Sequence, residues 1–390
     1  MMPSRKLAEI PESPTLALNS KVKELKSVGV DVANLTAGEP DFDTPEEIKK
    51  AAVESIDSGF TKYTPVPGIP ELRKAICEKL RRENGADYSP EEIIVSCGGK
   101  HSLYNAFMAL FNPGDEIIIP SPYWVTYPVQ AKLAGAVPVI SETLKDDGFR
   151  MRAEELEKSL TEKTKAILLN SPNNPSGAMT EKKELKKIAD MALENNLYII
   201  SDEIYEHIVY EGEFASVAGF SEDVRKRTLT INGASKTFSM TGWRIGWTAG
   251  PVEIIKAMTK FQSQTTSNPC SVSQKAYLKA VEGNLDPVKK MVSEFRKRRN
   301  FMVKRLNEMP GIECPNPDGA FYVFPDISGC FSNKIKSSMD FSMQLLEKAR
   351  VCVVPGADFG KEGHVRMSYA CSMENIEKAL QRIEEFLRKN

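Results

Sequence analysis

An α/β fold built on a mostly parallel sheet is what this chain predicts. Three observations carry that expectation. Short β-branched runs recur along the chain, and each ends in a polar cluster. Between them lie stretches with the spacing of amphipathic helices. The composition of the 390 residues is that of an ordinary globular protein, with 41% hydrophobic and 27% charged residues. Strand alternating with helix places a parallel sheet between two helical layers.

The runs come in order. "EIIVSCGG" is the first strand, and it leads through Gly98, Gly99 and Lys100 into a helix. "DEIIIPSPYW" follows, then "KAILLNSPNNPSG", which runs into Asn173 and Asn174. The stretch "EKKELKKIADMALENN" has apolar residues at Leu185, Ile188, Ala189 and Ala192, one face of a helix. "LYIISDEIY" ends at Asp202, with Tyr205 three residues on. "TLTINGASK" ends shortly before Lys236. From about residue 288, "VKKMVSEFRKRRNFMVKRLNEM" reads as one long charged helix. A second, smaller α/β unit then has "GAFYVFPD", "ARVCVVPG" and "HVRMSYA" as strands, with the first 40 residues expected to pack on it. The expected division is a large domain of residues 46–287 and a small one of residues 1–45 and 288–390.

Several function classes are disfavoured. The net charge of −1 offers no basic face for nucleic acid. The segment "MMPSRKLAEIPESP" carries Glu9 and Glu12 and lacks the apolar core of a secretory signal. No apolar run approaches the ~20 residues that span a bilayer. Seven cysteines are scattered without a CxxC pair, which argues against a disulfide framework or a zinc cage and fits a reducing cytoplasm. His101, His207 and His364 are the only histidines, so no metal site is expected. Neither G-x-G-x-x-G nor G-x-x-x-x-G-K-[ST] occurs.

Ligands of parallel α/β sheets bind beyond the carboxyl ends of the strands. Here those ends carry Asn174, Asp202, Tyr205 and Lys236. Glycines at a helix start expose backbone N–H groups to an anion, which the helix dipole favours. Taken singly, each residue has a plainer reading: a solvated lysine, a helix-capping aspartate, an asparagine turn. Together they form one set of parts for a phosphorylated pyridine aldehyde.

With "LTAGEPDF", "YTPVPGIPELR", "GGK", "SPYW", "NSPNNPSG", "SDEIY", "SKTFSMTGWRIGW" and "HVRMSYA" in this order, the whole chain resembles the class I/II aminotransferases, the fold-type I pyridoxal 5′-phosphate (PLP) enzymes. Within the family it is most similar to bacterial members that act on aspartate and share the "GGK" helix start. The resemblance implies a large domain with a mostly parallel seven-stranded sheet. It implies Lys236 as Schiff-base lysine and proton shuttle, its pKa lowered by desolvation and nearby cations. Asp202 would pair with the pyridinium nitrogen. Asn174 and Tyr205 would hydrogen-bond the ring's 3′-oxygen, and Trp124 would stack on the ring. The phosphate would lie against the backbone of Gly99 and Lys100, with Ser235, Arg244 and, from a neighbouring subunit, Tyr63. A homodimer with shared sites is therefore expected. Arg366 would take the substrate α-carboxylate in a two-pronged contact, beside the Gly38 backbone. Lys100 would meet a distal carboxylate, and Ser13 and Thr15 would line the site when the small domain closes.

The activity so implied is ping-pong transamination of L-aspartate with 2-oxoglutarate through the pyridoxamine form. Alternatives are an aminotransferase for aromatic amino acids, alanine or prephenate, a PLP-dependent β-lyase, or a non-catalytic PLP-binding domain. The last would have no use for Lys236, Tyr205 and Arg366 together. Two departures stand out. Relatives that accept prephenate have a lysine two residues before the position of Ser13, where this chain has Pro11. Some relatives have a phosphate-binding serine three residues before the lysine, where this chain has Gly233.

Overall fold

The computed structural model describes residues 14–389, the side chains of residues 14–19 and of Lys26 excepted. Strand β1 (Ala33–Asn34) precedes seven strands that share one sheet: β2 (Ile93–Ser96), β3 (Glu116–Ser121), β4 (Val137–Glu142), β5 (Thr164–Asn170), β6 (Tyr198–Asp202), β7 (Thr228–Gly233) and β8 (Gly246–Ala249). Their spatial order is β2-β8-β7-β6-β5-β3-β4. The pairs from β7 through β6, β5 and β3 to β4 are parallel, and β8 runs antiparallel to both β2 and β7. A seven-stranded, mostly parallel sheet is thus present, as expected.

Alternate side chains of these strands feed two separate apolar layers. Ile117, Ile119, Leu168, Ile200, Leu229 and Ile231 pack with Leu103 and Phe107 of the helix Gly99–Leu110 and with Ile255 and Met258 of the helix Val252–Ser263. Ile118, Ile167, Leu169 and Ile199 pack instead with Leu185, Ile188, Ala189 and Ala192 of the helix Lys182–Glu194. Because both faces are covered, the strands read as continuous apolar runs rather than as an alternation. The four apolar residues expected to form one face of the Lys182–Glu194 helix are all buried.

Two strands of the seven-stranded sheet were not among those expected. β4 lies at the sheet edge with Val137, Ile140 and Glu142 exposed, so its pattern is weak, and Pro138 is tolerated there. β8 is only four residues long and starts at a glycine; its place between β2 and β7 comes from long-range pairing rather than local propensity.

Beyond the long helix Asp286–Asn307, the chain forms β9 (Tyr322–Val323), β10 (Val351–Cys352), β11 (Val354–Pro355) and β12 (Val365–Ser368). β11, β12 and β9 make a three-stranded antiparallel sheet. β10 pairs in parallel with β1, so the early chain does lie on this later unit. The last helix, Met373–Leu387, opens with Ser372 accepting from the Asn375 backbone and buries Ile376, Ala379, Leu380, Ile383 and Phe386. After β1 the chain is stitched to the same unit: Leu35 N–H donates to Cys352 O at 2.9 Å, and Ser368 N–H donates to Leu35 O at 2.7 Å. This carries residues 36–39 toward the carboxyl ends of β5, β6 and β7.

Candidate active site

Three strand ends and one helix start converge on a single site. Asn170, the last residue of β5, ties two of the ends together. Its side-chain oxygen accepts from Asn174 N–H at 2.9 Å, and its amide donates to Asp202 O at 3.0 Å. At the end of β6, the Asp202 carboxylate is buried, accepting from Tyr127 Oη–H at 2.7 Å and from Ile204 N–H at 3.3 Å. Burial pushes its pKa up to about 6, although Tyr127, Ile204 and the nearby charge of Lys236 all pull it down.

Lys236 follows β7, and its Nζ donates to Gly38 O at 2.5 Å. Its pKa is lowered to about 8, chiefly by desolvation and then by Arg366 and Arg244, against Glu39 and Asp202, which raise it. The unprotonated amine, which a nucleophilic lysine requires, is therefore far more accessible near neutral pH than in an ordinary lysine. Ser235 beside it is buried.

Arg366, on β12, is 5% exposed. Its Nη1 donates to Asn174 Oδ1 at 3.0 Å and its Nη2 to Thr36 O at 3.0 Å. The rings of Tyr322 and Phe359 lie 4.6 and 5.0 Å from its guanidinium carbon. Its Nε has no hydrogen-bond partner among the described residues. A buried cation with an unused donor is costly unless an acceptor arrives, and a carboxylate would supply one. Tyr205 and Tyr322 share a hydrogen bond at 3.0 Å, and burial followed by that contact raises the Tyr205 phenol well above its ordinary range.

The helix Gly99–Leu110 starts at this same end of the sheet. Gly98 precedes it at φ 92°, and a Cβ there would fall 2.6 Å from Arg244 Nη2. On the neighbouring strand, a Cβ at Gly246 would lie 2.3 Å from Gly99 N, so backbone meets backbone with no space for a side chain. Arg244, at φ 55°, is exposed and donates to Thr241 O at 2.7 Å. Free helix N–H groups beside an arginine suit a phosphate. Lys100 Nζ lies 4.8 Å from the Trp124 ring, and desolvation, then Arg244, lowers its pKa. Trp124 meets Tyr127 edge-on at 5.4 Å.

The structure therefore brings Gly38, Gly99, Lys100, Trp124, Asn174, Asp202, Tyr205, Ser235, Lys236, Arg244 and Arg366 to one end of the sheet and the chain crossing it. Tyr63 is 91% exposed and makes no contact with them in this chain. Ser13 lies outside the described residues, as does Pro11. Thr15 belongs to the helix Pro14–Ser27, but its side chain is not among those described. Trp247 is buried and donates to Tyr277 Oη at 2.9 Å, while Trp243 donates to Thr44 Oγ1 at 3.0 Å, so both tryptophans pack. Sequence reasoning missed Tyr127, Tyr322, Thr36 and Asn170, which position the predicted groups. Of these, only Asn170 carried a signal, by ending a strand.

A family model described as aminotransferase class I and II matches residues 30–383. An aspartate aminotransferase of Bacillus sp. (strain YM-2) is 48% identical over 378 residues, covering 96% of each chain. An aspartate/prephenate aminotransferase of Cereibacter sphaeroides is 48% identical over 388 residues, covering 97% of each. Among solved structures, the aspartate aminotransferase of Rhizobium meliloti superposes with a TM-score of 0.96 at 43% identity, covering 100% of this chain and 99% of that one. The Thermus thermophilus aspartate aminotransferase with maleate gives 0.93 at 46% identity, covering 99% of both chains.

Proposed function

This chain belongs to the aminotransferase class I and II family, and from that premise we propose that it transfers the amino group of L-aspartate to 2-oxoglutarate, giving oxaloacetate and L-glutamate. The enzyme is PLP-dependent, as the family is. The single observation that carries the reading is Arg366: a buried guanidinium with an unused Nε, next to Asn174 and in one site with a lysine of depressed pKa.

The residues fit the cofactor. Asp202 is a buried carboxylate with no cation hydrogen-bonded to it among the described residues, which suits a protonated ring nitrogen. The glycine-lined start of the Gly99–Leu110 helix, with Lys100 N–H, Ser235 and Arg244, suits a phosphate dianion. Asn174 and Tyr205 would hold the ring's 3′-oxygen, and Trp124 offers a flat apolar face. PLP, when bound, supplies the electron sink that makes a substrate Cα–H acidic and carries the amino group between half-reactions. Lys236 Nζ would hold the cofactor and, once displaced by substrate, would move the proton between the substrate Cα and the cofactor's C4′. Its low pKa keeps a lone pair available for that transfer. Arg366 orients the substrate by its α-carboxylate beside Gly38, and Lys100 binds the second carboxylate, which selects dicarboxylic amino acids.

The active molecule is a homodimer in which Tyr63 reaches the phosphate of the neighbouring subunit, and its compartment is the cytoplasm. Residues 46–287 form the cofactor-binding domain. Residues 1–45 and 288–390 form the domain that closes on substrate, bringing Ser13 and Thr15 with it.

One titration tests the reading. PLP-loaded protein should show a visible band that L-aspartate alone removes and 2-oxoglutarate restores. A band unchanged by aspartate would sink the dicarboxylate assignment, and no band after reconstitution would sink the role of Lys236. The aspartate/prephenate name of the Cereibacter relative favours prephenate as a second acceptor, checked by offering prephenate in place of 2-oxoglutarate.

A further inference from the structure

Behind the strand ends lies a second buried polar cluster that the transamination reading does not use. Its centre is the carboxylate of Glu206, 8% exposed and next in sequence to Tyr205. Lys79 Nζ donates to both its oxygens, at 2.5 Å to Oε1 and 2.6 Å to Oε2. Asn232 Nδ2 donates to Oε1 at 2.7 Å, and Asn84 Nδ2 donates to Oε2 at 3.0 Å. Burial works against this charge, but Lys79 and then His207 hold the carboxyl below its usual range. The acceptors of Glu206 are thus filled from three directions.

These bonds join three pieces of backbone. Asn232 sits on β7, four residues before Lys236, and its own Oδ1 accepts from Gly233 N–H at 2.7 Å. Lys79 ends the helix Pro70–Lys79, and Asn84 ends the π-helical turn Leu80–Asn84 that continues it. Glu206 lies in the turn that also bears Asp202 and Tyr205. His207 makes a second strap: its Nδ1 lies 3.4 Å from Thr237 Oγ1, on the residue after Lys236, and its Nε2 lies 3.2 Å from Glu83 Oε2. Ligand atoms of Glu83, Glu206 and His207 lie within 4.8 Å of one another, but the Lys79 ammonium already serves as the cation there.

We infer that Glu206 is a positioning residue: its carboxylate, neutralised by Lys79, clamps the β7 end that carries Lys236 to the turn that carries Asp202 and Tyr205. The inference rests on the reading of Lys236 as the cofactor lysine. A buried ion pair is a poor stabiliser by comparison with apolar packing, so stability alone does not account for one here. What it fixes is register: the turn that presents Asp202 and Tyr205 and the β7 end that presents Lys236 share one set of hydrogen bonds with the Lys79–Asn84 segment. Glutamine cannot replace Glu206 in this role. Its NH₂ would face donors at one end, breaking the bond to Asn232 or the one to Asn84.

Two variants test the clamp. Glu206→Gln disturbs the centre, and Asn232→Ala cuts the link to β7 while leaving the Lys79–Glu206 pair in place, so it decides the matter if the first fails to fold. Hydrogen exchange of the full-length, cofactor-free protein should rise roughly tenfold or more in the peptide covering Gly233–Phe238, with β3 and β5 unchanged. In the PLP-loaded protein the pH midpoint of the visible band should shift, and kcat should fall with KM nearly constant. Exchange that rises uniformly across the sheet, or stays at the parent level in Gly233–Phe238, overturns the inference. Absence of a visible band in the parent would overturn the cofactor reading of Lys236, while the exchange measurement would still decide the clamp.

Discussion

Lys100 Nζ lies against the Trp124 ring, beside the helix start and within the field of Arg244. If it reads the distal carboxylate, Lys100→Ala removes one charge-assisted contact of ~1.5–3 kcal/mol. Steady-state kinetics should then show kcat/KM for aspartate falling roughly 10- to 150-fold, with alanine nearly unaffected. A second residue-scale prediction concerns Glu203. Burial, then the charge of Glu206, raises its pKa from 4.5 to about 8. The folded chain therefore holds a proton that the unfolded chain has released, so this group's contribution to stability falls as pH rises from about 4.5 toward 8. Glu203→Gln removes that dependence, and its melting temperature should decline less than the parent's across this window. At this scale the sequence was legible where a chemical group ended a strand, as at Asn174, Asp202 and Lys236. Tyr127 and Tyr322 were not legible, because each acts on a partner far along the chain, 75 residues away for Asp202 and 117 for Tyr205.

Among the elements, β8 shows how little of its placement is local. Four residues, Gly246–Ala249, hold the slot between β2 and β7, and the first is a glycine because the Gly98–Gly99 turn passes directly over it. Gly246→Ala would force backbone apart from backbone. We expect it to lower stability by at least ~1–3 kcal/mol and to weaken PLP retention, because the displaced turn also starts the helix proposed to meet the phosphate. Denaturant melts and a cofactor-binding titration of the variant check both. The parallel strands β3, β5, β6 and β7 announced themselves through runs such as "AILLN" and "TLTIN". β4 and β8 did not, one being a half-exposed edge and the other too short to carry a period. The helix Lys182–Glu194 was fully legible, since its buried face follows from spacing alone.

For the whole molecule, the test lies in Tyr63, a large aromatic side chain that is 91% exposed in the single chain. If it completes a neighbour's phosphate site, Tyr63→Ala should leave thermal stability within about 0.5 kcal/mol. The same change should lower PLP affinity roughly tenfold for one lost charge-assisted hydrogen bond. Sedimentation should find the parent dimeric, and a monomeric parent that still binds PLP tightly would sink the shared-site proposal. The two-layer core and the strand-end location of the site could be foreseen from alternation of strand and helix. That the early chain lies on the later unit was expected too, but the bonds that hold it there, from Leu35 to Cys352 and Ser368, had no local signal.

That contact has a consequence for how the protein is made. Arg366 is held by the carbonyl of Thr36, 330 residues earlier, and Leu35 is bonded to Cys352 and Ser368. During translation Thr36 leaves the ribosome 330 residues before Arg366, so the two halves of the proposed carboxylate site emerge far apart in time. The lysine and aspartate between them can fold onto the finished sheet well before Leu35 and Thr36 have their partners. Competence for catalysis is therefore set by the last strand to emerge: a nascent chain stalled before β12 should already hold the central sheet, yet bind no substrate carboxylate.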